Sequence, residues 1–242
     1  MTSGPAVVPV LAYHRIGVPP SGSLHPDTYV HPRAFARQLL ILKALGYETI
    51  APADYARLRL GLPCAVPRKP ILITFDDGSS TVFSEALPLL RRHGFSAALF
   101  MVASRLGLSA LWDGEAEDAD HRQLTAGELR ALRAEGWLIG SHSVTHARMT
   151  SLTPERRADE LIQSKKTLEE AVGAELDWFA YPYGAFDSGL RDAVSRAGYR
   201  IAFATEDGDG DLFSVPRRII GGRAGLFKFL RRLHQAGRLA RK

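Results

Sequence analysis

Two short motifs carry residue types that could do chemistry in this chain. Residues 74–78 read Thr-Phe-Asp-Asp-Gly, so the carboxylates of Asp76 and Asp77 follow an apolar run side by side. His142 and His146 lie four residues apart, directly after another apolar run. Two imidazoles and one carboxylate can hold one metal ion and leave positions open for water and substrate, as catalytic sites do. With the second carboxylate available as a base, this set indicates metal-assisted hydrolysis.

Each of these residue types also has a commoner structural role. An Asp before a helix often caps that helix. The i, i+4 spacing predicts that His142 and His146 share one face of a helical turn, and a pair of surface histidines is the alternative. His14 follows the first apolar run, where a lone His is more often structural than catalytic. The other histidines have no partner pattern and are predicted to be surface residues: His25, His31, His93, His121 and His234.

The elements that must position these residues are visible as alternating patterns. Apolar, strand-like runs cover residues 7–13, 71–75, 97–102, 137–140, 178–181, 201–204 and 214–220. Helical patterns cover residues 32–45, 84–93, 125–135, 153–172 and 187–197. Each helical pattern closes on a glycine, which best accommodates a left-handed helix end. Residues 103–123 have no clear pattern, and we predict a surface excursion there.

Strand–helix alternation predicts a single α/β domain with a parallel sheet and helices outside it. Six or seven units are compatible with a closed or nearly closed barrel, and an open doubly wound sheet is the alternative. In both architectures, sites lie beyond the carboxyl ends of the strands. Both motifs, His14 and the Tyr-Pro-Tyr-Gly segment at 181–184 follow strand-like runs, so four segments are predicted to converge on one rim.

Composition and charge limit the class of protein. The chain has 242 residues, 45% of them hydrophobic and 24% charged, which is ordinary for a soluble globular domain. Cys64 is the only cysteine, which excludes an internal disulfide and a multi-thiolate metal site. The net charge is +5, with much of the excess in residues 221–242. We predict a solvated basic helix or tail there, with peripheral contact to anionic lipid or nucleic acid as the alternative.

The N-terminal residues and the apolar stretches of the sequence indicate where in the cell the protein is expected. No apolar segment reaches the roughly 18 uninterrupted residues of a membrane span, and no nucleic-acid motif is present. The first residues lack a basic region, and Pro5 and Pro9 interrupt the short apolar stretch. These features predict a cytoplasmic protein, or an exported one whose leader has been removed.

Three motifs in this order carry a family resemblance. Thr-Phe-Asp-Asp-Gly at 74–78, His-Ser-Val-Thr-His at 142–146 and Tyr-Pro-Tyr-Gly at 181–184 resemble the polysaccharide deacetylase family, also called carbohydrate esterase family 4. The resemblance covers residues 7–220. Tyr-His-Arg-Ile at 13–16 is similar to the subgroup that includes bacterial poly-N-acetylglucosamine deacetylases. The resemblance implies a distorted (β/α)7-type barrel in a single domain.

The resemblance also implies roles for individual residues. Asp77, His142 and His146 would bind one divalent metal ion, with zinc expected and cobalt, nickel, manganese or iron as alternatives. Asp76 would be the general base, and His14 would be the general acid for the leaving amine. The remaining role is stabilisation of the oxyanion by the backbone N–H of Tyr183. The implied reaction is removal of an N-acetyl group from an N-acetylated saccharide.

The sequence departs from the family pattern at two points. Where the family has an Arg that orients the base, this chain has Ala180, and we expect Arg217 or Arg218 to substitute. An Asp that tunes the acid His is unassigned. Its candidates lie in a glycine-rich loop: Asp207, Asp209 and Asp211.

Aromatic residues and competing functions complete the predictions. Trp178 is predicted to be core, and Trp112 is predicted to be a rim contact for a sugar ring. The first alternative function is a catalytically silent carbohydrate-binding relative, against which the intact ligand and base residues argue. The second is a metal-dependent hydrolase of a non-sugar amide or a phosphate ester. No phosphate-binding loop or second carboxylate cluster favours phosphoryl chemistry.

Overall fold

A computed structural model of the protein describes residues 7–108, 122–222 and 225–241. The strands of these ranges are β1 (Val10–Tyr13), β2 (Arg15–Ile16), β3 (Tyr29–Val30), β4 (Glu48–Thr49), β5 (Pro70–Phe75), β6 (Ala98–Met101), β7 (Leu138–Ser141), β8 (Trp178–Ala180), β9 (Ile201–Phe203) and β10 (Arg218–Ile219). The α-helices are α1 (Pro32–Ala44), α2 (Pro52–Arg59), α3 (Leu87–His93), α4 (Ala126–Ala134), α5 (Pro154–Val172), α6 (Ser188–Arg196) and α7 (Leu226–Leu239).

The main sheet is parallel and curls into a distorted barrel. Its strand order is β10-β1-β5-β6-β7-β8-β9, with β4 added beside β5, and β2 and β3 form a separate pair. Residues 215–220 bridge the two edges. The Val215 N–H donates to the Ala202 carbonyl over 2.9 Å, and the Ile220 N–H donates to the Ala12 carbonyl over 2.8 Å. The predicted barrel is confirmed, and the open doubly wound sheet is excluded.

Alternation along the strands sorts apolar side chains between two layers. Leu72 packs with Trp178 and Phe203 in a cluster drawn from five strands around the barrel, which is its interior. Its neighbours Ile71 and Ile73 pack outward, in the core under the helices. Because strands of such a sheet are buried on both faces, they read as continuous apolar runs instead of alternating ones. Trp178 is buried, so its prediction as a core residue is confirmed.

The five predicted helices are present, with local differences. Gly94 and Gly173 end α3 and α5 in the left-handed conformation, as predicted. Thr125 caps α4 in a reciprocal capping box with Glu128. The predicted helix 84–93 instead begins as a π turn at Val82–Ala86 before it becomes α3. Helix α2 was not predicted, because it is short and weakly amphipathic and has no side-chain N-cap.

The predicted surface excursion and the predicted basic C-terminal helix or tail differ in structure. The predicted surface excursion opens as a 3-10 turn at Ala103–Arg105. It returns at 122–124, and Trp112 and His121 lie outside the described residues. The basic C-terminal segment forms α7, which buries Phe229, Leu233 and Ala236 against the main core. Among the described residues, no helix is both long and apolar enough to cross a membrane.

Candidate metal centre

The carboxyl ends of the strands deliver every predicted site residue to one cavity. The loops after β1, β5, β7 and β8 meet the segment before β10 around a cavity of about 410 Å³. All six predicted residues line it: His14, Asp76, Asp77, His142, His146 and Tyr183. The predicted convergence of four segments on one rim is therefore present in the structure.

Asp77, His142 and His146, the ligands that the family resemblance implies, lie together as a candidate metal-ligand set. The Oδ1 atom of Asp77 lies 3.7 Å from Nε2 of His142 and 3.6 Å from Nε2 of His146. One ligand atom from each residue lies within 4.8 Å of the other two. Ligands of a tetrahedral zinc ion, each about 2.1 Å from it, are about 3.4 Å apart. The three side chains thus surround a space of the right size for one divalent ion.

The hydrogen bonding of His142 supports this assignment. Its Nδ1 lies 2.7 Å from the carbonyl oxygen of Ala180, so Nδ1 carries the proton and donates it. The Nε2 lone pair then faces Asp77 and His146. Metal-bound histidines almost always donate their other ring N–H to an oxygen in this way. The donor set and its second hydrogen-bond layer therefore fit a divalent metal.

The loop that carries the two histidines is not a helical turn, so that prediction is wrong. Ser143 and His146 have left-handed backbones, with φ of 66° and 62°. The His146 N–H donates to the Ser143 hydroxyl over 3.0 Å, which closes a tight loop. The i, i+4 spacing still brings the imidazoles together, with ring centroids 4.8 Å apart, but a loop achieves this instead of a helix.

A buried carboxylate on α5 holds the same loop from outside. Glu160 accepts the backbone N–H groups of Val144 and Thr145 at 2.8 and 2.9 Å, and the Thr145 hydroxyl donates to it over 2.6 Å. These bonds satisfy N–H groups that a helix would otherwise satisfy, which is why the loop can depart from helical geometry. No sequence pattern marked Glu160, because it lies 14 residues beyond His146 in an ordinary amphipathic helix.

Backbone strain is concentrated in this site. Among the described residues, the non-glycine residues with positive φ are Asp77, Ser143, His146 and Tyr183. Each costs about 1–2 kcal/mol relative to a right-handed backbone. Such outliers persist where surrounding contacts hold them, and they cluster at functional sites. All four residues belong to the loops that form the candidate site.

Asp76 is held by a buried arginine. Arg217 donates from Nη1 and Nη2 to the two carboxylate oxygens at 2.7 and 2.8 Å, and its Nε donates to the Ala204 carbonyl at 3.0 Å. Its guanidinium lies over the Phe100 ring inside the barrel. Arg218 points elsewhere and pairs with Glu206. The structure therefore places Arg217, and not Arg218, on Asp76.

The charges of the site set the protonation of its members. Burial alone would raise the pKa of Asp76, but the Arg217 cation and its hydrogen bonds outweigh burial and lower the pKa to about 2. Burial and the neighbouring His142 lower the pKa of His146 to about 4. Burial also lowers the pKa of His142. At neutral pH the site therefore offers ionised carboxylates and neutral imidazoles, which are the forms that bind a metal.

His14 lines the cavity without the predicted carboxylate partner. Its Nδ1 is buried and has no hydrogen-bond partner among the described residues. Asp209 instead accepts from Arg191 over 2.9 Å. Asp211 accepts the N–H of Phe213, and Asp207 is exposed. None of the three candidates is hydrogen-bonded to His14, because their loop turns back on its own backbone and on α6.

Two further residues of the cavity wall are His25 and Tyr183. His25, predicted to be an ordinary surface residue, is exposed but lies at the cavity mouth beside Asp27 and Thr28. The Tyr183 ring is about half exposed and lies 4.7 Å from the His146 ring, centroid to centroid. Arg148 stacks on the same ring. The mouth therefore has an aromatic face next to the metal ligands.

Comparison with known proteins identifies the family. The chain belongs to the polysaccharide deacetylase family, whose sequence model matches residues 65–202. YxkH of Bacillus subtilis, named as a polysaccharide deacetylase, is 28% identical over 229 residues, which cover 93% of this chain and 75% of YxkH. The peptidoglycan-N-acetylglucosamine deacetylase PgdA of Listeria monocytogenes is 26% identical over 147 residues. That match covers 60% of this chain and 28% of PgdA.

A solved structure supports the same fold. The Streptococcus pyogenes deacetylase PplD, in complex with acetate, has a TM-score of 0.79 and 22% sequence identity, with 95% of this chain and 99% of that chain covered. The family match, together with relatives named as deacetylases, makes the chain a hydrolase of this family with a candidate metal site. The family model begins after residues 13–16, and the subgroup likeness stays a prediction.

Proposed function

We propose that the protein removes N-acetyl groups from an N-acetylated sugar or polysaccharide of the N-acetylglucosamine type. The observation that carries the proposal is the pairing of two neighbouring carboxylates with different surroundings. Asp77 faces two neutral imidazoles, whereas Asp76 is held by Arg217 beside them. These different surroundings support a ligand role for Asp77 and a base role for Asp76.

The chain's own residues prepare the attack on the acetyl carbonyl. A divalent ion held by Asp77, His142 and His146 would polarise the carbonyl and acidify a water molecule. The depressed pKa of Asp76 keeps its carboxylate ionised and ready to accept a proton from that water. Arg217 fixes both oxygens of Asp76, so the base is oriented before substrate arrives.

The departing amine and the developing negative charge need two further groups. His14 lines the cavity and would protonate the amine nitrogen as the C–N bond breaks, which releases acetate and the free amino sugar. The backbone N–H of Tyr183 would donate to the oxyanion, a contact worth about 3 kcal/mol. The left-handed backbone of Tyr183, in the turn Pro182–Gly184, is the strained feature that this role would explain.

The substrate class rests on the cavity and on the relatives. PgdA is named for N-acetylglucosamine in peptidoglycan, and the family is named for polysaccharides. The half-exposed Tyr183 ring beside the metal ligands offers a sugar ring a face to stack on. An intact base and ligand set argues against a silent binding relative. Zinc, the cytoplasmic location and the catalytic domain boundaries at 7 and 220 stay predictions.

Acetate release tests the substrate class. Metal-loaded protein is incubated with N-acetylglucosamine oligomers, a nucleotide-linked and a lipid-linked N-acetyl sugar, a non-sugar acetamide and a phosphomonoester. We expect acetate from one or more of the sugars and no phosphate release. Acetate from the simple acetamide alone would overturn the sugar proposal in favour of a different amidohydrolase.

A leaving-group experiment tests the role of His14. His14→Gln should lower the rate of N-deacetylation by about 10²–10⁴-fold, because an amine leaves poorly without a proton. The same variant should cleave an aryl acetate within about tenfold of the wild-type rate, because a phenolate leaves without protonation. Equal losses on both substrates would mean that His14 is not the acid.

A further inference from the structure

Exposed apolar side chains lie in segments that are close in sequence to cavity-lining residues. Val18 and Leu24 lie in the loop that leads from β2 to the cavity-lining residues His25 and Thr28, and they are 62% and 59% exposed. Phe227, in the first turn of α7, is 87% exposed. Leu226 is exposed beside it. We call these four residues, Val18, Leu24, Leu226 and Phe227, the apolar rim.

The segment that precedes α7 is hydrogen-bonded to the cavity wall. The Gly222 N–H donates to the Asp27 carbonyl over 3.1 Å. A Cβ on Gly222 would lie 1.9 Å from the Tyr29 carbonyl oxygen, so only glycine permits this approach. Helix α7 follows the parallel strand β10 in the chain, so its first turn, which holds Leu226 and Phe227, starts from the carboxyl end of the barrel strands, where the cavity lies. The apolar rim therefore belongs to the same face of the molecule as the cavity.

The outer face of α7 continues the rim as a cationic stripe. Phe227, Arg231, His234 and Arg238 are exposed at i, i+4, i+7 and i+11, which places them along one side of the helix. The last 31 residues carry nine Lys or Arg and no Asp or Glu. Arg217 and Arg218 are paired inside the fold, so seven of these cations belong to α7 and its flanks.

We propose that the apolar rim and the outer face of α7 dock on the surface of an anionic phospholipid bilayer. Cations close to an anionic leaflet are attracted to it, and exposed aromatic and aliphatic side chains enter the headgroup region. A nucleic acid would also attract the cations, but its phosphate backbone offers nothing to Val18, Leu24 and Leu226. The inner face of α7 is already buried in the core, so the helix lies on the bilayer through its charged face and its apolar end.

The proposed docking has a consequence for the substrate. A bilayer against the apolar rim faces the cavity mouth, so an acetylated sugar attached to the membrane would reach the site without leaving the surface. This consequence rests on the proposed deacetylase function, whereas the docking itself does not. The two are therefore tested separately.

Vesicle flotation of the full chain tests the docking. Vesicles of pure phosphatidylcholine are compared with vesicles in which about a third of the lipid is phosphatidylglycerol, at low and high salt. We expect binding to the anionic vesicles, release by salt and little binding to the neutral ones. Arg231→Gln with Arg238→Gln should weaken binding by about thirty-fold, the loss expected for two cations near an anionic leaflet. Phe227→Ser should weaken it by about tenfold.

The matched control removes two exposed cations elsewhere. Arg156→Gln with Lys166→Gln changes α5, which packs against β7 on the far side of the barrel from β10. This control should bind like the wild type. Equal binding to both vesicle types, equal losses in control and test variants, or binding only to a soluble polyanion would overturn the proposal. Acetate release from soluble oligomers by the same wild-type preparation reports separately on the proposed function.

Discussion

Replacing Arg217 with Met removes a buried cation from the proposed base. Arg217 is 1% exposed and donates to both oxygens of Asp76, which is itself 6% exposed. Taking one partner from such a pair leaves an uncompensated buried charge and costs about 3–5 kcal/mol. The substitution also leaves the Ala204 carbonyl without its donor. We therefore expect Arg217→Met to lower the free energy of unfolding by about 3–5 kcal/mol at neutral pH.

The sign of the pH dependence distinguishes this effect from a general packing defect. In the wild type the pKa of Asp76 is lowered from 3.8 to about 2. Its stabilisation, about 2 kcal/mol, is present above pH 3.8 and is lost as the pH falls through about 2. In Arg217→Met the largest cause that lowers the pKa of Asp76 is gone, so burial dominates and the pKa rises above 3.8. The variant should then become less stable, relative to the wild type, as the pH rises from 4 to 7.

Urea unfolding of the metal-free protein at pH 4 and pH 7 measures both quantities. The matched control is Arg218→Met, which removes the neighbouring cation from the half-exposed Glu206 and should cost about 1 kcal/mol or less. Arg217→Lys should recover part of the loss, because it keeps the charge but not the two-pronged geometry. Equal costs for Arg217→Met and Arg218→Met, without a pH dependence, would refute the reasoning.

Three further predictions concern the metal loop and the turn after the carboxylates. Glu160→Ala should weaken metal binding about 10–100-fold in a chelator competition, because the loop that carries His146 loses three hydrogen bonds, whereas Glu160→Gln should retain most of the affinity. The free energy of unfolding of the metal-free protein should fall by about 3 kcal/mol from pH 6.5 to pH 4, because unfolded His146 binds a proton more readily than the folded residue, whose pKa is about 4. In His146→Asn, urea unfolding should show a weaker dependence of this free energy on pH. Gly78→Ala should cost about 2–4 kcal/mol in thermal or urea unfolding, because its Cβ would meet Met101 Sδ at 2.1 Å, while Gly46→Ala, with similar φ and open space, should cost about 1–2 kcal/mol.

The barrel and the meeting of its loops could be predicted because they depend on local patterns. The apolar run at 71–75 is buried along its whole length as part of β5, and the strand ends where Asp76 begins. Helices α3 and α5 end at Gly94 and Gly173 because glycine adopts a left-handed backbone at little energetic cost. Carboxyl ends of parallel strands share one edge, so residues after such runs come together whatever the exact register.

The remaining features depend on contacts far apart in sequence. Arg217 and Arg218 are neighbours with the same chemistry, and only the register of the segment 215–220 decides which one faces into the barrel. The histidine loop departs from a helix because Glu160, on α5, accepts its N–H groups. No local sequence pattern predicts either contact. The same applies to His25, whose place at the mouth depends on how its loop crosses the barrel.

The most direct test of the central claim compares wild-type protein with Asp76→Asn under matched metal loading. Both proteins are loaded with zinc, their metal content is measured, and acetate release from N-acetylglucosamine oligomers is followed in the same samples. We predict metal-dependent acetate release by the wild type, and equal metal content with a rate about 10²–10⁴-fold lower in Asp76→Asn. Wild-type protein that binds the metal and releases no acetate from any N-acetyl sugar, or a variant as active as the wild type, would contradict the account.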